Sequence, residues 1–139
     1  MSDWSFAVRH RSEAGFMARI FGGLMEFMLM VHVQESGWEG LTKEQQEQGM
    51  AAYMAYTEAL AKAGVLKMNR RLSPSSTANT LRLAHGKTQV LDGPYIDAKE
   101  QLGGFFIIDV ADREAALSWA ARCPAVGHGV VEVREIPAT

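Results

Sequence analysis

Two repeating patterns of apolar residues divide the chain into predicted strands and helices. Residues 27–33 (FMLMVHV) form an almost wholly apolar run of strand length, which is typical of a central strand. A helix is predicted from Thr42 to Gly64, because Thr42 and Gln45 form a capping-box pair and Gly64 suits the left-handed residue that follows a helix. Its apolar positions recur at helical spacing: Met50, Tyr53, Met54, Thr57, Leu60 and Ala61.

The rest of the chain contains further strands, a hairpin and a second helix. The dipeptide His85-Gly86 lies between two short strand-like segments and predicts a two-residue hairpin turn, since glycine tolerates positive φ. A second helix is predicted between Asp112, its N-cap, and Pro124, which ends it. Gly37 and Gly40, with Trp38 between them, predict a loop after the first strand. The remaining strands are predicted at residues 65–72, 80–84, 87–91, 104–110 and 129–136.

This order of elements predicts an α+β fold. Without the inserted hairpin, the elements follow the order βαββαβ, which favours a ferredoxin-like sheet with both helices on one face. The other face of the sheet would then be bare and apolar. Because an exposed apolar face of that size is commonly covered by a second copy, we expect a homodimer.

Composition excludes several classes of partner. The 139 residues carry a formal net charge of -2 and a pI near 6.1, so no basic surface for nucleic acid is expected. No apolar run approaches the roughly 20 residues that span a bilayer, so no membrane partner is expected. The single cysteine, Cys123, cannot form an internal disulfide, and the default expectation is a cytoplasmic protein.

The first 24 residues differ in character from the rest. They contain scattered aromatic residues and three arginines without strand-like alternation, and two interpretations stay open: a short docked helix around residues 11–21, or a disordered extension. Met25 begins a clean strand and is a candidate start of translation. We therefore divide the chain into an N-terminal extension, residues 1–24, and one domain, residues 25–139.

Metal and cofactor chemistry find no support in residue spacing. The histidines show neither the i, i+4 pairing nor the close strand spacing of a metal site, and no calcium loop, glycine-rich phosphate loop or nucleophile elbow is present. We therefore expect no metal and no cofactor. The four histidines are His10, His32, His85 and His128.

General acid–base chemistry is the remaining catalytic option. His32 lies where the central strand gives way to a loop, a common position for a functional group, although a strand-end histidine bonded to a neighbouring backbone carbonyl is the simpler interpretation. Asp92 lies at a strand end before Gly93-Pro94, where its carboxylate could equally cap a turn. Arg70 could bind the carboxylate of a small acid. The further candidates for a ligand pocket are Tyr53, Tyr95, Lys99 and Glu100. The simpler interpretation of Tyr53 is a core residue. Lys99 and Glu100 are more simply interpreted as a solvated ion pair.

The segment LDGPYIDAKEQLGGFF, residues 91–106, carries a family resemblance. Together with FMLMVHVQE near the start and VEVREI near the end, it resembles the YCII-related proteins of the DGPF type, with Tyr95 in place of the phenylalanine of the Asp-Gly-Pro-Phe signature. The resemblance covers roughly residues 25–136. It implies a ferredoxin-like fold that dimerises into an α/β barrel.

The resemblance also implies two functions and a pair of positions. One function is a small-molecule-binding protein or enzyme with isomerase-like or dehalogenase-like acid–base chemistry on a small lactone or acid. The alternative is a non-catalytic regulatory module linked to an extracytoplasmic-function sigma factor. YciI-like relatives carry a proposed histidine–aspartate pair, whose positions match Ala52 or Tyr53 and Cys123 here. Since both partners of that pair are missing, the pair's mechanism does not carry over, and whether the chain catalyses a reaction stays open.

Overall fold

The computed structural model describes residues 23–138, so the expectation for residues 1–24 lies almost wholly outside the described part. A four-stranded sheet, a separate hairpin and three helices make up the chain, with 3₁₀ turns at Ser75–Thr77 and Pro124–Gly127. The strands are β1 (Met25–Val33), β2 (Leu66–Arg71), β3 (Asn79–Ala84), β4 (Lys87–Asp92), β5 (Gln101–Val110) and β6 (Val130–Ile136), and the helices are α1 (Glu35–Glu39), α2 (Lys43–Lys62) and α3 (Arg113–Ala121).

The main sheet has the strand order β2-β5-β1-β6, and every neighbouring pair is antiparallel. The two central strands are therefore β1 and β5, which pair along their whole length, from Met25 with Val110 to Val33 with Gln101. The fold is α+β and is compatible with the predicted ferredoxin-like arrangement. The dimeric α/β barrel stays a prediction, because the structure contains one chain.

One face of the sheet, here the inner face, packs against helices α2 and α3. Phe27, Leu29 and Val31 of β1 point to this face at every second position and are buried, together with Phe106 and Ile108 of β5. Burying each such side chain contributes roughly 1.5–3 kcal/mol. The Tyr56 ring of α2 meets Phe106 edge-on, 5.3 Å between centroids, and the Arg113 guanidinium at the start of α3 lies over Phe27.

The opposite face, here the outer face, has no described helix packed against it. It carries the alternate residues of the two central strands, of which Met28 pairs with Ile107 and Met30 with Phe105. All four are only half-buried.

Helix α2 follows its local sequence closely. Thr42 and Gln45 form both bonds of the capping box, and Gly64 has the positive φ of 74° expected after the helix. The predicted apolar stripe is only partly right. Tyr56 joins Tyr53, Thr57 and Leu60 as the buried positions, whereas Met54 is 44% exposed.

The predicted hairpin forms a two-stranded sheet of its own, β3 with β4. Both turn residues have positive φ, 51° at His85 and 77° at Gly86, which is the geometry that matches the twist of the paired strands. Its base is held by two bonds, from the Gly93 N–H to the Ala78 carbonyl and from the Thr80 hydroxyl to the Gly93 carbonyl.

Two local predictions are wrong. Residues 35–39 form the short helix α1 where a loop was predicted. The acidic Glu35 lies in its first turn, where a negative charge interacts favourably with the partial positive charge of the helix N-terminus. Strand β5 begins at Gln101 and not at Gly104, because the residues before the double glycine already pair with the end of β1 across a register shift at Val31/His32. Within residues 23–138 no helix is both long and apolar enough to cross a membrane.

Candidate functional site

Tyr53 and His128 lie side by side, although 75 residues separate them in the chain. The Tyr53 hydroxyl oxygen is 3.4 Å from Nε2 of His128, and the two rings meet edge-on with 6.4 Å between centroids. Tyr53 is buried, whereas His128 is exposed. The pair therefore joins a buried hydroxyl to an imidazole that solvent or a small molecule can reach.

Local structure explains where each member of the pair lies. Tyr53 belongs to the buried stripe of α2, and the Thr57 hydroxyl donates to its backbone carbonyl at 2.8 Å. His128 follows the 3₁₀ turn that Pro124 begins after α3, and its N–H donates to the Ala125 carbonyl. The next residue, Gly129, allows strand β6 to start directly against the end of β1.

The Tyr53 hydroxyl and the Cys123 thiol are protonated at neutral pH. Burial, with a smaller contribution from Cys123, raises the pKa of Tyr53 well above its ordinary value of 10.0. Burial also raises the pKa of the Cys123 thiol, against a bond from the Ala125 backbone that lowers it. Tyr53 and Cys123 therefore both offer neutral O–H or S–H groups.

A second tyrosine extends this arrangement toward helix α3. Tyr56 lies one turn beyond Tyr53 on α2, and its hydroxyl donates to the Trp119 backbone carbonyl at 2.7 Å. Burial raises its pKa above the ordinary tyrosine value, and Cys123 adds to that shift. The two tyrosines, Cys123 and His128 are here called the tyrosine site.

The structure does not join the two predicted acid–base residues, His32 and Asp92, in one site. His32 lies on the outer face of the main sheet, with Nε2 3.3 Å from the Glu132 carboxylate, a distance that suits an ion pair but without hydrogen-bond geometry. Asp92 is exposed at the end of the hairpin and accepts a bond from the Asn79 side chain at 3.0 Å. His32 and Asp92 thus lie beside different side chains, Glu132 and Asn79, and a catalytic role for either stays a prediction.

Of the predicted pocket residues, Tyr53 is the one at the tyrosine site. Arg70 is exposed on β2, and its Nη1 donates to the Asn69 carbonyl at 2.7 Å. Tyr95 is 71% exposed in the segment after the hairpin, with the Arg82 guanidinium 5.6 Å from its ring centroid. Lys99 and Glu100 lie further along the same segment, before β5.

The contact of His128 with Tyr53 could not be predicted from the sequence, where His128 was weighed only as one of four histidines without the spacing of a metal site. No short sequence pattern connects Tyr53 with His128, because their contact depends on how the turn after α3 packs against α2. The one local indication is that Pro124 and Gly129 flank the histidine, which predicts a tight turn there. Among residues 23–138, no group of three or more His, Cys, Asp or Glu side chains is arranged to hold a metal ion.

Comparison with known proteins identifies the family. The model of the YCII-related domain matches residues 25–138. This chain belongs to the YCII-related family. An uncharacterised protein of Rhizobium meliloti (strain 1021) is 38% identical to it over 96 residues, which are 69% of this chain and 77% of that protein.

The tyrosine site contains the two positions that match the proposed histidine–aspartate pair of YciI-like proteins. The two positions that the YciI-like resemblance assigns to a histidine and an aspartate were matched to Ala52 or Tyr53 and to Cys123 on sequence alone. Ala52 is exposed and Tyr53 is buried, and the electrostatic influence of Cys123 reaches the Tyr53 hydroxyl. In this chain, Tyr53 is in contact with a histidine from a third position, His128.

Proposed function

We propose that this protein binds a small organic molecule at the tyrosine site and exchanges a proton with it through His128. The observation that carries the proposal is the 3.4 Å contact between the Tyr53 hydroxyl and Nε2 of His128. The reaction class that fits is an isomerase-like or dehalogenase-like proton transfer on a small lactone or acid, in keeping with the YCII-related family.

The chemistry of the pair supports an acid–base role. An imidazole ordinarily changes its charge near neutral pH, so it can accept a proton and return it. A neutral tyrosine hydroxyl can donate to Nε2 when the imidazole is neutral and can accept from it when the imidazole is protonated. Because the raised pKa keeps the Tyr53 hydroxyl protonated, it can support His128 in both states.

This pair is preferred over His32 with Asp92, which stays as the second choice. Tyr53 and His128 are in contact, whereas His32 and Asp92 lie in different sheets and have different partners. A proton-transfer site requires its groups within hydrogen-bond reach of one substrate atom, directly or through a water.

The experiment is a ligand screen by thermal shift, followed by variants of the residues that form the pair. A ligand that binds only the folded protein raises Tm by mass action. We expect His128→Gln to weaken the ligands so found by about tenfold, which corresponds to about 1.4 kcal/mol, and Tyr53→Phe to weaken them less. His85→Asn is the matched control, because His85 lies in the exposed hairpin turn at a positive φ that asparagine tolerates.

The same ligands then separate catalysis from regulation. If the protein is an enzyme, some of them are converted to product by the wild-type protein and not by His128→Gln. If it is a regulatory module linked to a sigma factor, as the family resemblance allows, the ligands bind and none is converted. Ligands whose effect on Tm is the same in His128→Gln as in the control would place the binding site elsewhere.

We further propose that two copies pair through their outer faces in the cytoplasm, in the dimeric α/β barrel that the fold favours. Support comes from the apolar, half-buried rows of β1 and β5 on that face. Sedimentation should then give a dimer at micromolar concentration, and Met30→Lys should shift it toward monomer. A wild-type monomer under those conditions would contradict this arrangement.

A further inference from the structure

Strand β4 (Lys87–Asp92) forms an open edge of the protein. It pairs with β3 on one side, and within residues 23–138 this small sheet contains no third strand. All six residues of β4 are exposed. Natural edge strands are usually protected by prolines, bulges or inward-pointing charges. β4 contains no proline, its pairing with β3 has no register shift, and its two charged residues, Lys87 and Asp92, stand at its ends.

The turn at His85-Gly86 decides which backbone groups of β4 reach this edge. In a two-residue hairpin the flanking residues, here Ala84 and Lys87, form a hydrogen-bonded pair, and bonded pairs then alternate along the antiparallel ladder. Every second residue of β4 therefore directs its N–H and C=O groups toward β3: Lys87, Gln89 and Leu91. The alternate residues direct theirs to the open side: Thr88, Val90 and Asp92.

One face of the hairpin carries an apolar cluster that reaches the same edge. Leu81 pairs with Val90 and Leu83 with Thr88, and paired residues of an antiparallel ladder point to one face. Leu81, Leu83 and Val90 are 61%, 72% and 60% exposed, so residues 23–138 leave most of each side chain uncovered. Val90 thus presents an apolar side chain and unpaired backbone groups at the same position of the open strand.

The other strand of the hairpin is less open than β4. After β4 the chain turns toward β3, where Gly93 donates its N–H to the Ala78 carbonyl and accepts the Thr80 hydroxyl. The Tyr95 ring then lies beside Arg82 of β3, with its centroid 5.6 Å from the guanidinium carbon. In the described part of the chain, no hydrogen bond, ion pair or ring contact joins β4 to a segment other than β3.

We propose that β4 pairs with β4 of a second copy about a two-fold axis at Val90, which joins two hairpins into one four-stranded sheet. An axis perpendicular to the sheet runs the two strands antiparallel and places Val90 opposite Val90 of the partner subunit. Thr88 then lies opposite the partner's Asp92. All three residues with outward backbone groups form hydrogen-bonded pairs in this register, and any other two-fold register leaves at least one of them without a bonded partner.

The side chains agree with this register. Leu81 and Val90 form one continuous apolar row with their copies across the axis, because Leu81 already lies opposite Val90 within each hairpin. The Thr88 hydroxyl can donate to the partner's Asp92, whose carboxylate accepts a bond from Asn79 of its own hairpin at 3.0 Å. The edge therefore matches a second copy both in hydrogen bonding and in apolar surface.

This contact goes beyond the proposed function, because it involves neither the tyrosine site nor the outer face of the main sheet. If the outer faces also pair, each copy has two separate two-fold interfaces, and species larger than a dimer form.

The experiment measures solvent exchange of backbone N–H groups by NMR in the full chain. As the concentration rises from about 50 μM to about 1 mM, where weak contacts associate, exchange at Thr88, Val90 and Asp92 should slow by about fivefold. Exchange at Gln89 and Leu91 should not depend on concentration, because these N–H groups bond to β3 in either state.

Two variants test the register. Val90→Lys should abolish the concentration dependence, since it places two like charges opposite each other at the axis. Leu91→Lys is the matched control and should retain it, because the same charge then lies on the other face of the same strand and outside the apolar row.

Exchange that stays fast at every concentration would overturn the proposal, as would equal behaviour of Val90→Lys and Leu91→Lys. Slow exchange at every concentration would place another segment of the same chain on the edge. Concentration-dependent protection at Leu81 and Leu83 alone would place the contact on β3. Either result would contradict pairing through β4.

Met30→Lys separates this contact from the outer-face dimer. It should remove that dimer and leave the protection of Val90 dependent on concentration. Loss of the protection in Met30→Lys would assign it to the outer-face dimer and would overturn pairing through β4.

Discussion

The backbone of Gly129 lies so close to that of His32 that a Cβ atom on Gly129 would stand 2.3 Å from the His32 carbonyl oxygen. No side chain fits at this distance without moving backbone, since the obstacle is a carbonyl of the central strand β1 and not a flexible side chain. The close approach sets where β6 begins, and so it sets the position of His128 next to Tyr53.

Gly129→Ala should therefore destabilise the protein by about 1–3 kcal/mol, as forced overpacking does, and should weaken the ligands that bind at His128. Denaturant unfolding gives the first effect and thermal shift with a ligand gives the second. Gly127→Ala is the matched control, because a Cβ there meets nothing within 4 Å. Equal stability of the two variants would contradict the prediction.

The buried tyrosines make stability fall at alkaline pH. The pKa values of Tyr53 and Tyr56 are raised in the folded protein above the ordinary 10.0, chiefly by burial. Below pH 10 both states keep these protons and the full stability is present. Above it the unfolded chain loses them first, so the free energy of unfolding should fall by about 1.4 kcal/mol per pH unit for each tyrosine.

Unfolding measured between pH 8 and pH 11 should show this decline, and the double variant Tyr53→Phe/Tyr56→Phe should lose most of it. The ultraviolet absorbance of tyrosinate is an independent check, because these two hydroxyls should ionise only as the protein unfolds. A decline of the same slope in the double variant would assign it to other groups.

Sequence patterns predicted those features whose causes are local. The side chains of Thr42 and Gln45 each accept a hydrogen bond from the other's backbone N–H within one helical turn. The turn at His85-Gly86 requires only two adjacent residues with positive φ. Each feature could therefore be identified from a few neighbouring residues. The rotation of α2 is different. Tyr56 and Met54 both fit an apolar stripe, and the inner face of the sheet decides which is buried.

The tyrosine site could be predicted only in part for the same reason. Tyr53 was predicted as a candidate pocket residue, whereas Cys123 was only matched to one position of a histidine–aspartate pair that this chain lacks. His128 could not be found, because its contact with Tyr53 spans 75 residues and has no local pattern.

Asn69 should be replaceable with a gain in stability. Its side chain is fully buried on the inner face opposite Phe106, and neither its oxygen nor its nitrogen has a hydrogen-bond partner in the described part of the chain. A buried amide without partners costs roughly 1–3 kcal/mol, so Asn69→Leu should raise the free energy of unfolding by an amount of that order.

Thr57→Val is the matched control. Thr57 is equally buried, but its hydroxyl donates to the Tyr53 carbonyl, so this substitution should lower the free energy of unfolding. A loss of stability in Asn69→Leu as well would indicate that the amide holds an ordered water or a ligand.

Glu35 anchors the loop that leads into the hairpin. Its carboxylate accepts both the backbone N–H of Ser75, at 2.7 Å, and the Ser75 hydroxyl, which joins the start of α1 to the turn at Ser75–Thr77. Glu35→Ala removes both bonds, so the Ser75 amide should exchange with solvent at least tenfold faster and residues 72–78 should be cleaved sooner by protease. Because the contact is local and only partly buried, the global free energy of unfolding should change by about 1 kcal/mol or less.

Glu39→Ala, at the exposed end of the same short helix, is the control and should leave exchange at Ser75 unchanged. Hydrogen exchange followed by mass spectrometry measures both variants, and equal protection of Ser75 in the two would show that the loop is held by its own turn and not by Glu35.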